Sequence, residues 1–423
     1  MQHNEFVHHL KEIHCNINKD DTQDVNEQMH IKNIFEEFFI QPNVFVFKVE
    51  EIRNKIQRYS YLLSPRKDEF LSNLFFLINN DAYTRSVIQI INSLIYQNSI
   101  FLDLLLNKYN IVKIILHKFM FHPIFLTCLI NILNLKINVF ENFCNEEHLN
   151  LLINGNYNSY TIDIVNTFIK FNPKLNKIAI DFAIRNSLQE NNEEELISLF
   201  NLLNNISLQV NISTLDFNNE DFLKRILFYL SKSMESKNLL NSILRFIHYI
   251  SSGNYLPISY LIDIGLYNQL YEISQQTNCF NSQILAIISN IASFGSYEID
   301  DICNYGFIDL IYTTITNGTF IEQIDAISLV SNILYKGTIQ QIRLIINPVI
   351  FDSIALFLQG DQDKLINLIL ESILYALNME NELGLNELKS FLYENNFLEI
   401  INELKNHEND RISELSIKIL NVF

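Results

Sequence analysis

The chain has 423 residues, 48% of them hydrophobic, no Trp and a net charge of −18. That length holds two or three ordinary domains or one continuous repeat array, and the acidity disfavours a phosphate-backbone partner, so no nucleic-acid binding is expected. Gly (9) and Pro (6) are too scarce for an all-β fold of many tight turns, and five cysteines without a CxxC pair point to mostly buried thiols in a reducing compartment.

In chain order, residues 1–43 read as a polar N-terminal arm. A helix is predicted around Phe6–Ile13, and NKDDTQDVNEQ (Asn18–Gln28) reads as a solvated linker. No apolar h-region marks a secretory signal, and no run is long enough to span a bilayer. His8, His9, His14 and Cys15 lack a second Cys/His pair at finger spacing, so no metal is expected. Residues 44–423 read as one succession of amphipathic helices. Val49–Leu63 opens it, with Ile52, Ile56 and Tyr59 on one face. Units of common design follow at Arg85–Gln97, Pro123–Leu135, Tyr160–Phe171, Leu196–Leu208 and Asn241–Gly253. The two best are ILAIISNIASFGSYEIDDICNYGF (Ile284–Phe307) and DAISLVSNILYKGTIQQIRLIIN (Asp325–Asn347), and Leu368–Glu380 closes the series.

Aligning the SN-I cores sets Asn290 opposite Asn332, 42 residues apart. The equivalent positions are Ser93, Asn131, Asn166, Asn205, Tyr249, Asn290 and Asn332, at spacings of 38, 35, 39, 44, 41 and 42. A period in this range marks a solenoid, whose helical units bury their apolar faces on one another. Each interval has room for roughly three helices of about 11 residues. The turn residues Gly253-Asn254, Gly295-Ser296 and Gly337-Thr338 imply short first helices, favouring armadillo units over two-helix HEAT units.

Ile284–Gly295 resembles the third-helix segments of the importin-α family, and DAISLVSN with Gln340–Arg343 is similar to that family's next unit. ILRFIHYISSG (Ile243–Gly253) resembles the unit in which the family carries Arg instead of its usual Trp, and Arg245 stands there. RNKIQRYSYLLS (Arg53–Ser64) resembles the family's first repeat. Asn395–Leu420, with its HEN turn at His407–Asn409, resembles the last. The resemblance implies an all-α, right-handed superhelical solenoid of armadillo repeats, and a nuclear import adaptor that binds basic signal peptides of cargo proteins. It implies peptide-binding roles for Asn131, Asn166, Asn205, Arg245, Asn290, Asp325 and Asn332. A carboxamide offers an acceptor and two donors, so each Asn could clamp a peptide main chain. A Trp four residues earlier would shelter a cargo Lys.

Here every Trp is gone, and those earlier positions hold Gln89, Thr127, Ile162, Asn201, Ala286 and Ser328. The family's basic arm binds importin-β. Its counterpart, His3–Asp21 with His30–Ile34, keeps Lys11, Lys19 and Lys32. A nuclear export receptor is a further implied partner, and the implied localisation is cytoplasm and nucleus. The alternative is an armadillo scaffold that has lost signal-peptide binding and recognises another extended segment. No P-loop, dinucleotide fingerprint, nucleophile elbow or HExxH appears, so neither an enzyme nor a cofactor is expected.

Overall fold

The computed structural model describes residues 26–42, 59–78, 81–95, 99–111, 114–115, 127–128, 131–132, 144–154, 158–189, 191–209, 217–253 and 255–423. Among them there is no strand. The chain forms two compact units, Met1–Ala179 and Ile180–Phe423. The expected arm boundary at 43/44, the helix at Phe6–Ile13, the His8–Cys15 cluster and most of Val49–Leu63 and Pro123–Leu135 lie outside the described residues.

The first unit contains α1 (26–40), α2 (Lys67–Leu77), entered through a 3-10 turn at Ser60–Arg66, α3 (Asp81–Ile95), α4 (Ser99–Asn107), α5 (Glu146–Ile153) and α6 (Ser159–Phe171). Residues 26–28 were expected within the solvated linker, but they begin α1. The segment's polar average conceals Ile31, Ile34, Phe35 and Phe38, which repeat at helical spacing and are buried. Phe35 and Phe38 meet the Phe70 ring of α2 edge-on, with centroids 6.0 and 5.0 Å apart. Arg66 holds the outer side, 2.9 Å from Glu36 and 3.6 Å above the Phe39 ring. Asn145 and Asn158 cap α5 and α6 by accepting from main-chain N–H groups.

Helix α7 (Asn176–Ser187) contains the point of division. The second unit continues with α8 (Glu193–Gln209), α9 (Glu220–Lys232) and α10 (Lys237–Ser251). Four triplets follow: α11 (Tyr255–Asp263), α12 (Leu266–Gln276) and α13 (Asn281–Ala292); α14 (Ser296–Asn304), α15 (Phe307–Asn317) and α16 (Phe320–Lys336); α17 (Ile339–Ile345), α18 (Pro348–Leu358) and α19 (Asp363–Leu383); α20 (Glu387–Glu394), α21 (Phe397–Leu404) and α22 (Asp410–Val422). Each begins with a short helix, as the turn residues imply. No single described helix is long and apolar enough to cross a membrane; the pair α17–α18 reaches the length only across an 83° bend.

Local chemistry sets these boundaries. Thr319 and Thr338 form reciprocal capping boxes with Glu322 and Gln341. Asn219, Asn347 and Asn409 cap α9, α18 and α22, so part of the Asn abundance serves helix starts. The turn from first to second helix needs a left-handed residue in three triplets: Gly265 (φ 113°), Gly306 (φ 86°) and Asn396 (φ 58°). In the remaining triplet Asn347–Pro348 starts the second helix instead.

The closing helices α8, α10, α13, α16, α19 and α22 pack against one another in sequence. Ile284, Leu285, Ile287, Ile288 and Ile291 of α13 are wholly buried, as are Ile327, Leu329, Val330, Ile333 and Leu334 of α16. Such helices are apolar almost all round because neighbours cover them on several sides. Polar ties cross the repeats elsewhere. Gln341 of α17 donates to Ser296 O (2.8 Å) and Asp300 Oδ1 (2.6 Å) of α14. The buried Glu380 carboxylate accepts from Leu388 N (2.7 Å) and Lys389 N (3.2 Å), satisfying the first turn of α20 from outside it.

Candidate functional site

Four consecutive closing helices, with their C-cap residues, each leave one narrow stripe uncovered. On α10 it is Asn241, Arg245, His248 and Ser252; on α13, Gln283, Ala286, Asn290 and Ser293. On α16 it is Asp325, Ser328, Asn332 and Tyr335; on α19, Asn367, Glu371, Tyr375 and Asn378. Steps of three and four residues keep each set on a single helical face. Across the stack they form two polar rows.

The row nearer the helix starts is Asn241, Gln283, Asp325 and Asn367, each 42 residues from the next and all half-buried. Gln283 Nε2 donates to Asn241 Oδ1 at 2.6 Å, and Ser282 Oγ donates to Asp325 Oδ2 at 2.5 Å. Gln283 Oε1 and Asn367 Oδ1 have no donor. Burial pushes the Asp325 carboxyl above the ordinary aspartate range; the Ser282 hydroxyl opposes this, and the Glu322 charge adds to it. The sequence reading found Asp325 but missed Asn241, Gln283 and Asn367. Their 42-residue spacing from Asp325 was the available signal.

The second row carries the predicted asparagines. Asn332 Nδ2 donates to Ser289 O (2.8 Å) and Ser289 Oγ (3.0 Å) of the preceding closing helix. Asn290 Nδ2 donates to Ser251 Oγ (3.0 Å) and His248 O (3.3 Å), and lies 3.5 Å from His248 Nδ1. Burial lowers the His248 pKa, which keeps the ring neutral and its nitrogen lone pair available. In the first unit Asn131 Nδ2 donates to Asn92 Oδ1 at 2.8 Å, again one repeat back. These amides thus bind helix to helix. At Asn290 and Asn332 both N–H groups are engaged, so what an incoming main chain meets is the carbonyl oxygen, an acceptor for its N–H.

The other predicted positions differ. Asn166 and Asn205 are half-buried and have partners of their own. On α8 the tie between closing helices comes from the neighbouring Asn204, buried, whose Nδ2 donates to Ser242 O of α10 at 3.0 Å. With two adjacent Asn residues, sequence spacing could not choose between them. Ser93 is buried and turns its hydroxyl back to Gln89 O at 3.0 Å. Arg245 is exposed on the stripe, with no ion pair among the described residues. Of the positions four residues before the asparagines, Ile162 is fully buried, and Ser328 donates to Ile324 O.

The described cysteines are all free. Cys128 and Cys144 are buried, and desolvation pushes both thiols up to about 12; Cys303 is half-buried and Cys279 exposed. No cluster of three or more metal-ligating side chains occurs among the described residues.

No family model matches the chain, and no curated protein matches it. Solved structures do. An engineered protein is similar over 93% of this chain and 98% of its own, at 12% identity and a TM-score of 0.68. A structure concerned with the phosphorylation switch in the interaction between cadherin and beta-catenin is similar over 88% of this chain and 66% of its own, at 13% identity and a TM-score of 0.52. A designed armadillo repeat protein in complex with the peptide (KR)4 overlays 57% of this chain and 98% of its own, at 19% identity and a TM-score of 0.46. The three-helix period, the sequential packing of the closing helices and the likeness to solved solenoids agree: the fold is an all-α armadillo-repeat solenoid.

Proposed function

We propose that the stripe of the closing helices binds an extended segment of another protein, and that the preferred segment is basic. The observation that carries this reading is the pair of polar rows repeating every 42 residues on one uncovered face. Successive repeats then offer the same groups at regular intervals, as an extended peptide offers its own. Main-chain N–H groups meet the carboxamide oxygens of Asn290 and Asn332, while Asp325 and the net charge of −18 attract Lys and Arg.

The finer form of the proposal is a nuclear import adaptor. It carries basic signal peptides of cargo proteins, joins importin-β through the arm at 1–43, is recycled by a nuclear export receptor, and works in both cytoplasm and nucleus. Its support is the order of the resembling segments from Arg53 to Leu420, together with Asp325 and Arg245. The second reading is a scaffold for another extended segment. The missing Trp residues and the engagement of the Asn290 and Asn332 donors with neighbouring helices favour it. Fluorescence anisotropy with a lysine-rich signal peptide at low salt separates the two. Micromolar or tighter binding is expected for the adaptor, and a flat isotherm removes it. Capture of importin-β by the full chain, lost on deleting 1–43, is the matching test of the arm.

A further inference from the structure

Tyr335 of α16 and Tyr375 of α19 stand on the stripe with 40% and 46% of their surface exposed. Their ring centroids are 4.9 Å apart, at an interplanar angle of 55°. Tyr229 and Tyr267 of the same unit are instead buried, and each hydroxyl donates to a main-chain carbonyl, while the exposed Tyr297 and Tyr393 lie on first helices, away from the stripe. The exposed pair joins two consecutive closing helices where the carboxamide rows end. Tyr335 follows Asn332 by three residues, and Tyr375 follows Glu371 by four, so ring and carboxylate share a face.

The surroundings suit a cation. Lys336 Nζ lies 4.9 Å from the Tyr335 ring centroid, so an ammonium group already rests on one ring of the pair. Glu371 accepts both Nε (3.2 Å) and one terminal nitrogen (2.7 Å) of Arg411 on a single oxygen, Oε1. Its second oxygen, Oε2, remains an acceptor on a side chain 42% exposed. Aromatic faces and a spare carboxylate oxygen on consecutive turns match a guanidinium better than an ammonium. The planar group stacks on the rings and directs N–H donors sideways.

We propose that Tyr335 and Tyr375 form a seat for an arginine side chain of the bound segment, with Glu371 Oε2 accepting from its guanidinium. The proposal rests on the peptide-binding reading of the same stripe. It places the aromatic contribution after the asparagine, and between two repeats, in a chain without Trp.

The test is anisotropy with a fluorescein-labelled alternating Lys–Arg octapeptide, an all-lysine version, and one with citrulline in place of arginine. The arginine peptide is expected to bind tightest and the citrulline peptide weakest. Tyr375→Ala and Tyr335→Ala should each weaken the arginine peptide by about fivefold, the scale of one cation–π contact. Tyr375→Phe, which keeps the ring, should bind like the parent, Glu371→Gln should weaken binding, and Lys336→Met should strengthen it by vacating the ring and removing a like charge. Circular dichroism melts confirm that these surface variants fold. Parental affinity in both alanine variants, with Asp325→Asn still weakening the peptide, overturns the seat alone. Failure of the parent chain to bind any of the three peptides overturns the seat and the binding stripe together.

Discussion

The two polar rows use similar side chains for different ends. Asn290 and Asn332 direct both amide hydrogens into the preceding helix, at 2.8 to 3.3 Å, and so act as rivets of the stack. Asn241, Gln283, Asp325 and Asn367 make fewer bonds between repeats. This row keeps carbonyl oxygens without donors at Gln283 and Asn367, and a carboxyl whose pKa burial raises. A carboxamide is therefore not a peptide clamp by identity. Its available atoms are decided by what stands one repeat away. The Asn290–Asn332 row is mostly structural, with an acceptor to spare, and in the proposed peptide-binding reading charge selection falls to the Asp325 row.

The largest effect tests the rivets. Asn290→Ala combined with Asn332→Ala removes two interhelix ties and should lower the stability of the second unit by roughly 2–4 kcal/mol, read as a shift in the urea midpoint. An unmoved midpoint with lost peptide binding would reverse the roles of the rows. Next, Asp325→Asn should weaken a basic peptide by about tenfold, the order of one desolvated charge contact (~1.4 kcal/mol). It should leave the midpoint equal or higher, because it removes a carboxylate that burial disfavours.

Sharper in location is the choice between neighbours on α8. Asn204→Ala should cost about 1 kcal/mol through its lost bond to Ser242 O, and Asn205→Ala distinctly less, in the same urea experiment. Equal costs would show that the tie is not confined to Asn204.

The smallest effect is in pH. The Asp325 carboxyl titrates higher folded than unfolded, so between those two values the native state holds the extra proton. Its contribution to stability is greatest at acid pH and is lost as pH rises through that window. Basic-peptide affinity should move the other way, strengthening as Asp325 ionises. Asp325→Asn should flatten both trends in parallel melts and anisotropy titrations from acid to neutral pH; a trend that survives it belongs to another group.

Much of the fold was legible in the sequence. The SN-I cores, the Gly turns and the helical spacing of Ile and Leu are local signals, and they yielded the repeat and its short first helices. The helix at 26–40 was missed because a polar average outweighed Ile31, Ile34, Phe35 and Phe38, whose partner Phe70 lies more than thirty residues on. Within the candidate site, periodicity located Asp325, Asn290 and Asn332 on one stripe. It did not extend the Asp325 row to Gln283 and Asn367, because Gln, Asp and Asn do not look alike in an alignment of letters.

By itself the sequence determined the three-helix period and the side-chain caps that start helices such as α9, α16, α17, α18 and α22, because residues within a few positions of each other settle those. The tertiary structure alone decided which amide hydrogens are engaged, that Asn204 rather than Asn205 ties α8 to α10, and that Tyr335 meets Tyr375. Each of those depends on a group about 40 residues distant, brought within bonding range only when one repeat packs on the next.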